Sequence, residues 1–356
     1  MKSKQHILIL TPGFPENEND TTCIPPLQAL VRELHSAYDG ELKISVVAFQ
    51  YPFKGGEYNW HGIKCWTAGG KNIKLPGKFF TWYRIINYIS KLHKQFPVDV
   101  VHSFWLQDTT LLAQRVSKIT GARHFAHAMG QDVLSSNSYI RFLSKNKLKV
   151  IANSPFTAET LKQEFDINAF TVIPFGINAN DFTAPIDGLR TTDLLAVGSL
   201  TTVKNHKLFL EIFTVLKKTV PGLTGSIIGG GPLEETLREQ IKQLGLEDCV
   251  RLEGLLSRSE VLKRMSESKI LVHTASFESA GYVFLEALYC GMKVVAFPTG
   301  LLPEVSSAVT CNDKEAMVEK LKSLLSVEQE YKREKVPLIS ESAAALMKIY
   351  SAVHKN

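Results

Sequence analysis

The chain has 356 residues, 44% of them hydrophobic and 21% charged. That balance excludes disordered and fibrous classes and exceeds what one core usually organises, so two domains of roughly 150 to 200 residues are expected. The 41 Lys and Arg against 35 Asp and Glu leave a charge of +6, which admits an anionic ligand or membrane surface without requiring either.

The opening "KSKQHILILTPGFP" carries too short an apolar run for a signal peptide or a membrane span and reads as a first strand. Strands are expected over residues 6–11, 43–49, 98–103, 123–128, 148–153 and 170–174, each separated from the next by a longer helical pattern. A polar segment, "GINANDFTAPIDGLRTT" from Gly176 to Thr192, is rich in turn residues and is expected to link two domains, 1–180 and 181–335. The rhythm then repeats, with strands expected over 193–197, 223–229, 250–253, 270–274 and 293–297. A last amphipathic helix is expected over 340–354. This alternation implies an α/β fold with two Rossmann-like, doubly wound parallel-sheet domains facing across a cleft, with ligands bound in the strand-to-helix loops. The five cysteines (Cys23, Cys65, Cys249, Cys290, Cys311) are scattered and never spaced C-x-x-C. A disulfide framework or zinc site is therefore not expected, and a reducing cytoplasm is.

Two carboxylates stand out in the apolar stretch "FESAGYVFLEAL" from Phe277. Gly281 permits close backbone approach, and a helix starting near Tyr282 aims the free N–H groups of Gly281, Tyr282 and Val283 at the preceding loop, an arrangement that holds phosphate. Glu286 lies about 6 Å further along the helix axis, and Glu278 lies in the loop on the other side. A nucleotide sugar has that layout, ribose, diphosphate and sugar, with a carboxylate to accept hydroxyl hydrogen bonds at each end. Lys204, in a loop before a helix, is placed to neutralise the diphosphate. Gly229-Gly230-Gly231-Pro232 makes a tight turn that lets a site wall approach the ligand. It is not a G-x-G-x-x-G fingerprint, because Glu234 occupies the third glycine position, and this argues against a dehydrogenase.

The E-x7-E spacing from Glu278 to Glu286 resembles the signature of the retaining glycosyltransferases of family 4, which have the two-domain GT-B fold. "LLAVGSLTTVKNHKLFLEIF", "SIIGGGPLEETL", "VRLEG" and "PTGLLPEV" in the second half, and "VVHSFW", "MGQDV", "IANSPFTAETL" and "VIPFGIN" in the first, are similar to family landmarks in the same order. The resemblance implies transfer of a hexosyl group from a nucleoside diphosphate sugar to a glycan or lipid-linked hydroxyl acceptor, with retention, at the cytoplasmic face of cell-surface glycan or glycolipid synthesis. It implies that Glu278 orients the donor sugar, Glu286 the ribose and Lys204 the diphosphate. Backbone groups near Arg251 would read the base, and Gly13 would lie beside the ligands in the first loop.

The family's second diphosphate cation, an arginine, is here Ser199, with Lys207 or Arg258 as candidates to compensate. A family histidine is here Met129; either His127 or His102 replaces it, or both are structural. Asp132 is read as a catalytic or acceptor contact or as a helix cap, and Cys23 as a wall residue. No D-x-D motif is present, so no metal or other cofactor is expected. The resemblance also implies that the last helix returns to the first domain. Residues 71–94 carry six Lys or Arg interleaved with aromatic residues and suit an anionic membrane surface or a core helix with a basic face; Phe79, Trp82, Tyr83, Ile86 and Ile89 are expected to share one face. No nucleic-acid-reading module is recognisable. Because Ser199 and Met129 depart from the pattern, a catalytically silent nucleotide-sugar-binding or scaffolding subunit is the alternative.

Overall fold

The computed structural model describes residues 4–74, 76–300, 302 and 307–352. The chain divides into two compact units, Met1–Phe175 with Ile339–Asn356, and Gly176–Leu338.

The first unit runs β1 (Gln5–Gly13), α1 (Pro25–Ala37), β2 (Leu42–Tyr51), β3 (Gly56–Trp60), β4 (Ile63–Thr67), α2 (Lys78–Gln95), β5 (Val100–Phe104), α3 (Asp108–Thr120), β6 (Arg123–Ala128), β7 (Lys149–Ala152), α4 (Pro155–Phe165) and β8 (Thr171–Val172). Its sheet has the order β3-β4-β2-β1-β5-β6-β7-β8. All neighbours are parallel except the β3–β4 hairpin at one edge.

The second unit runs β9 (Thr192–Val197), α5 (His206–Lys217), β10 (Gly225–Ile228), α6 (Glu234–Gln243), β11 (Val250–Gly254), α7 (Arg258–Ser266), β12 (Ser268–His273), α8 (Tyr282–Tyr289), β13 (Lys293–Ala296), β14 (Ala308–Thr310) and α9 (Lys314–Leu325). Its sheet is parallel, in the order β11-β10-β9-β12-β13-β14. The final helix, α10 (Ile339–Ser351), belongs to the first unit, where Ser342 Oγ donates to Pro174 O (2.7 Å) and Gln5 Nε2 to Tyr350 O (2.9 Å). Residues 353 and 354 of the expected helix lie outside the described residues.

Both faces of the second sheet are covered, as continuous apolar strands require. Leu194 and Ala196 of β9 and Ile270 and Val272 of β12 pack under α5 with Phe209, Phe213 and Leu216. Their neighbours Leu195 and Leu271 point the other way, onto Phe284, Leu285 and Leu288 of α8. Local signals start the helices. Ser257 and Glu260 form a capping box on α7, and Asp313 caps α9 through Ala316 N–H.

The structure departs from the sequence expectations in three places. The β3–β4 hairpin and β14 were not anticipated. The hairpin turns on His61 and Gly62, both at positive φ, as a two-residue loop demands. The stretch 176–192 is no free linker, because Ile177 and Phe182 are buried in the second unit's core. Helix α2 does not present one apolar face either. Ile85, Ile89 and Leu92 are buried, whereas Phe79, Phe80 and Tyr83 are 59%, 68% and 67% exposed. Two of its cations are committed inward: Lys78 Nζ lies 2.7 Å from Asp108, and Arg84 Nη1 donates to Ala68 O.

Candidate active site

Numbered within the second unit, the strand order is 3-2-1-4-5-6, so the winding reverses between β9 and β12. In such sheets the crevice at the carboxyl ends of the two strands flanking the reversal is where ligands bind. The loops that follow these strands hold Lys204 and Glu278. They are tied together by Thr274 Oγ1, which donates to Asn205 O (2.9 Å), and by Ser276 N–H, which donates to Val203 O (2.9 Å). The loop after β10 closes on the same place. Gly229 is at φ 150°, and a Cβ there would lie 1.9 Å from Gly198 O, so no side chain is compatible with the contact.

Lys204 Nζ donates to Glu278 Oε2, and His273 Nε2 lies 3.3 Å from the same oxygen. Burial by itself would raise the Glu278 carboxyl. The His273 contact and the Lys204 charge outweigh it and hold that carboxyl at about 2. Glu278 is therefore ionised across the working pH range, beside a cation only partly withdrawn from water. Burial keeps the His273 imidazole below its ordinary value, with Lys204 adding to the effect.

Gly281 occupies the left-handed region at φ 69° and starts α8; a Cβ there would meet the Phe284 ring at 2.2 Å. Phe284 N–H donates back to Gly281 O (2.8 Å), leaving the Tyr282 and Val283 N–H groups without partners inside the helix. These donors, and the positive end of the α8 dipole, face the loop that carries Glu278. Further along α8, the buried Glu286 carboxylate accepts from Arg258 Nη1, and Arg258 Nε lies 3.0 Å from Asp181 Oδ2. Burial pushes the Glu286 carboxyl above its ordinary value; Arg258 pulls against that rise without reversing it, and Asp181 adds to it.

This arrangement of cation, carboxylates and helix N-terminus coincides with a family match. Residues 188–336 match the family described as Glycosyl transferases group 1. The second unit is a glycosyl transferases group 1 domain. Among curated proteins, the chain is 32% identical over 266 residues to a human phosphatidylinositol N-acetylglucosaminyltransferase subunit, covering 69% of this chain and 54% of that protein. It is 24% identical over 261 residues to the alpha-monoglucosyldiacylglycerol synthase of Streptococcus pneumoniae, covering 63% of this chain and 59% of the relative. The chain thus spans little more than half the length of these relatives. Among solved structures, Anabaena HepE in complex with UDP-glucose superposes with a TM-score of 0.68 at 20% identity, over 97% of this chain and 95% of that one. The likeness over nearly the whole chain shows the GT-B fold.

Within the group 1 domain the sequence candidates separate. Lys204, Glu278, Gly281, Tyr282 and Val283 converge at the β9/β12 reversal, Glu286 stands one turn into α8, and Gly230 and Gly231 lie in the loop that closes on Leu200. Ser199 is exposed on the loop after β9, and Arg251 is exposed on the edge strand β11. Arg258 does not compensate for Ser199, because its guanidinium is committed to Glu286 and Asp181. Part of the family-like stretch from Pro298, Leu301 and residues 303–306, lies outside the described residues. Sequence reasoning missed His273, which sits five residues before Glu278 at the end of a strand otherwise read as core. It also missed Asp181, 77 positions from its partner.

In the first unit, Gly13 ends β1, with Cys23 Sγ 3.6 Å from where its Cβ would be. Burial raises the Cys23 thiol to about 12, consistent with a wall residue and not a nucleophile. Asp132 is buried in the first unit. Its buried carboxylate accepts from Leu106 N–H (2.8 Å), Gly130 N–H (2.6 Å) and Met129 N–H (3.2 Å), clasping the loops after β5 and β6. His127 is buried as well. It is 0% exposed, stacked on His102 and Phe104 and 4.9 Å from the Phe175 ring, and burial holds it at about 3. His102 is equally buried and bonds through Nδ1 to the Tyr350 hydroxyl of α10. Both histidines are core residues.

Proposed function

We propose that the protein transfers a hexosyl group from a nucleoside diphosphate sugar to a hydroxyl acceptor, with retention and without a metal ion. The observation that carries this reading is the convergence of Lys204, Glu278 and the α8 N-terminus at the β9/β12 reversal. In this reading Lys204 and the Tyr282 and Val283 N–H groups neutralise the diphosphate, supplying the charge that a metal would otherwise bring. Glu278 accepts hydrogen bonds from the donor sugar, and Glu286 from the ribose. The acceptor hydroxyl attacks the anomeric carbon on the face the phosphate leaves, the bond to the β-phosphate oxygen breaks, and the hydroxyl proton passes to that oxygen. With His127 buried and Asp132 saturated, neither offers a protein base in place of the departing phosphate. The UDP and UDP-glucose complexes of HepE make UDP-sugars the first donors to test. A sugar-transfer assay scored by the anomeric configuration of the product, with and without EDTA, tests the reaction. Retained configuration at an unchanged rate in EDTA is expected; an inverted product or loss of turnover in EDTA would refute it.

The names of two relatives, one directed at phosphatidylinositol and one at a diacylglycerol glycolipid, support a lipid-linked acceptor. Among the described residues no helix is long and apolar enough to cross a membrane. Exposed Phe79, Phe80 and Tyr83, with exposed Lys71, Lys74, Lys91 and Lys94, favour docking of α2 on an anionic bilayer surface. The protein is expected to sediment with anionic vesicles at low salt and to be released at high salt. Equal recovery with neutral vesicles would remove this part of the proposal. A second reading, a protein that binds nucleotide sugar without turnover, is favoured by the exposed serine at 199 and is excluded by turnover of the purified chain.

A further inference from the structure

Arg258 is a largely buried cation of the second unit, paired with two carboxylates, that the proposed reaction does not use. As the first residue of α7 it is fixed by the Ser257–Glu260 capping box, which leaves its side chain to reach across to α8. Its guanidinium donates to Glu286, approaches Asp181 at 3.0 Å and lies 5.6 Å above the Tyr282 ring. All three charged side chains are largely withdrawn from water, at 15% for Arg258, 18% for Asp181 and 8% for Glu286. The cluster holds two carboxylates to one cation. A buried carboxylate with no cation protonates instead of bearing its charge. The groups facing Glu286 are Arg258 from α7, Asp181 from the segment before β9, and Tyr282 and Cys290 from or beside its own helix. Among the described residues, Arg258 is the cation that acts on Glu286.

We infer that Arg258 is a positioning residue that keeps Glu286 ionised and aimed as an acceptor for the ribose hydroxyls of the donor, with Asp181 anchoring the far side of its guanidinium. The inference rests on the proposed donor site and assigns it a residue pair that no spacing motif contains. The forked guanidinium suits this task because it can hold both carboxylates at once, which an ammonium on a single stem does less well. A purely mechanical pin between α7 and α8 would make the same contacts but would give no ribose selectivity and no pH dependence of it.

The experiment titrates the full chain with UDP and with 2′,3′-dideoxy-UDP between pH 6 and pH 9, in the wild type and in Arg258→Met, Arg258→Lys and Asp181→Asn. The wild type is expected to prefer the ribonucleotide by about tenfold or more, the scale of a hydrogen bond to a charged group. Arg258→Met should lose that preference at neutral pH and regain it as rising pH ionises Glu286. Arg258→Lys should keep the preference but lose it at a higher pH than the wild type does. Asp181→Asn, which leaves Arg258 to Glu286, should hold the preference to lower pH than the wild type. The lysine and asparagine variants carry the test if the methionine variant does not fold. Wild-type ribose preference at every pH in Arg258→Met, or the same pH limb in Arg258→Lys and Asp181→Asn as in the wild type, would overturn the inference alone. A wild type that binds neither nucleotide nor its GDP and ADP counterparts overturns the donor-site reading and the inference with it.

Discussion

Glu278→Ala is expected to lower kcat by about 10²- to 10³-fold, the scale of losing one preorganised polar contact at a reacting centre, while the protein stays folded. Turnover falls because Glu278 is the carboxylate that stands beside Lys204 and the α8 N-terminus. Folding survives because the Lys204 side chain left behind is 22% exposed and can be solvated. Glu286→Ala should act differently. It truncates the acceptor at the ribose end and leaves Arg258 its Asp181 partner, so KM for the donor rises by about tenfold with kcat little changed. Steady-state kinetics on both variants read the split. Unchanged kinetics in both would remove these roles.

The second large effect is on stability and arises from histidines that take no part in the proposed chemistry. Burial holds His124 and His127 at about 3 and His102 well below its ordinary value, all in the first unit. In the unfolded chain each takes up a proton near pH 6.5, whereas in the folded chain it does not. Between those values the unfolded state binds more protons, so stability is full above about pH 6.5 and falls as the pH drops below it. One pH unit below, each histidine costs about 1.4 kcal/mol and the three together about 4 kcal/mol, against a total of roughly 5 to 15 kcal/mol for a typical protein. Calorimetry at pH 7.5 and 5.5 should show a clear fall in melting temperature, lessened in His127→Phe, which keeps an aromatic ring in the stack between His102 and Phe175. A melting temperature independent of pH over that range would show that these rings are reached by water.

The strand rhythm was legible because, apart from the β3–β4 edge, both sheets are parallel, so most strands are dominated by buried apolar residues. The same burial hid the histidines. With no solvent face, alternation places His127 on one side of β6 but does not reveal that both sides are core. The β3–β4 hairpin escaped because its edge strand β3 is short and largely polar with exposed positions, and β14 because it is three residues long. The segment 176–192 looked like a linker because most of its turn residues lie at the surface of the second unit, with Ile177, Phe182 and Arg190 as its buried side chains. Glu278, Gly281 and Glu286 were readable because one loop and one helix carry all three. Lys204 needed the strand reversal to reach them, and the Arg258–Asp181 pair joins positions 77 residues apart that no local pattern connects.

In the proposed function, the β9/β12 reversal binds a nucleoside diphosphate through Lys204. Calorimetric titration of the full chain with UDP, GDP and ADP, repeated on Lys204→Met, tests it most directly. At least one of the three is expected to bind the wild type, and Lys204→Met to weaken that binding by about tenfold or more, as loss of a charge-assisted contact would. Binding of none of the three, or binding that Lys204→Met leaves unchanged, would contradict it.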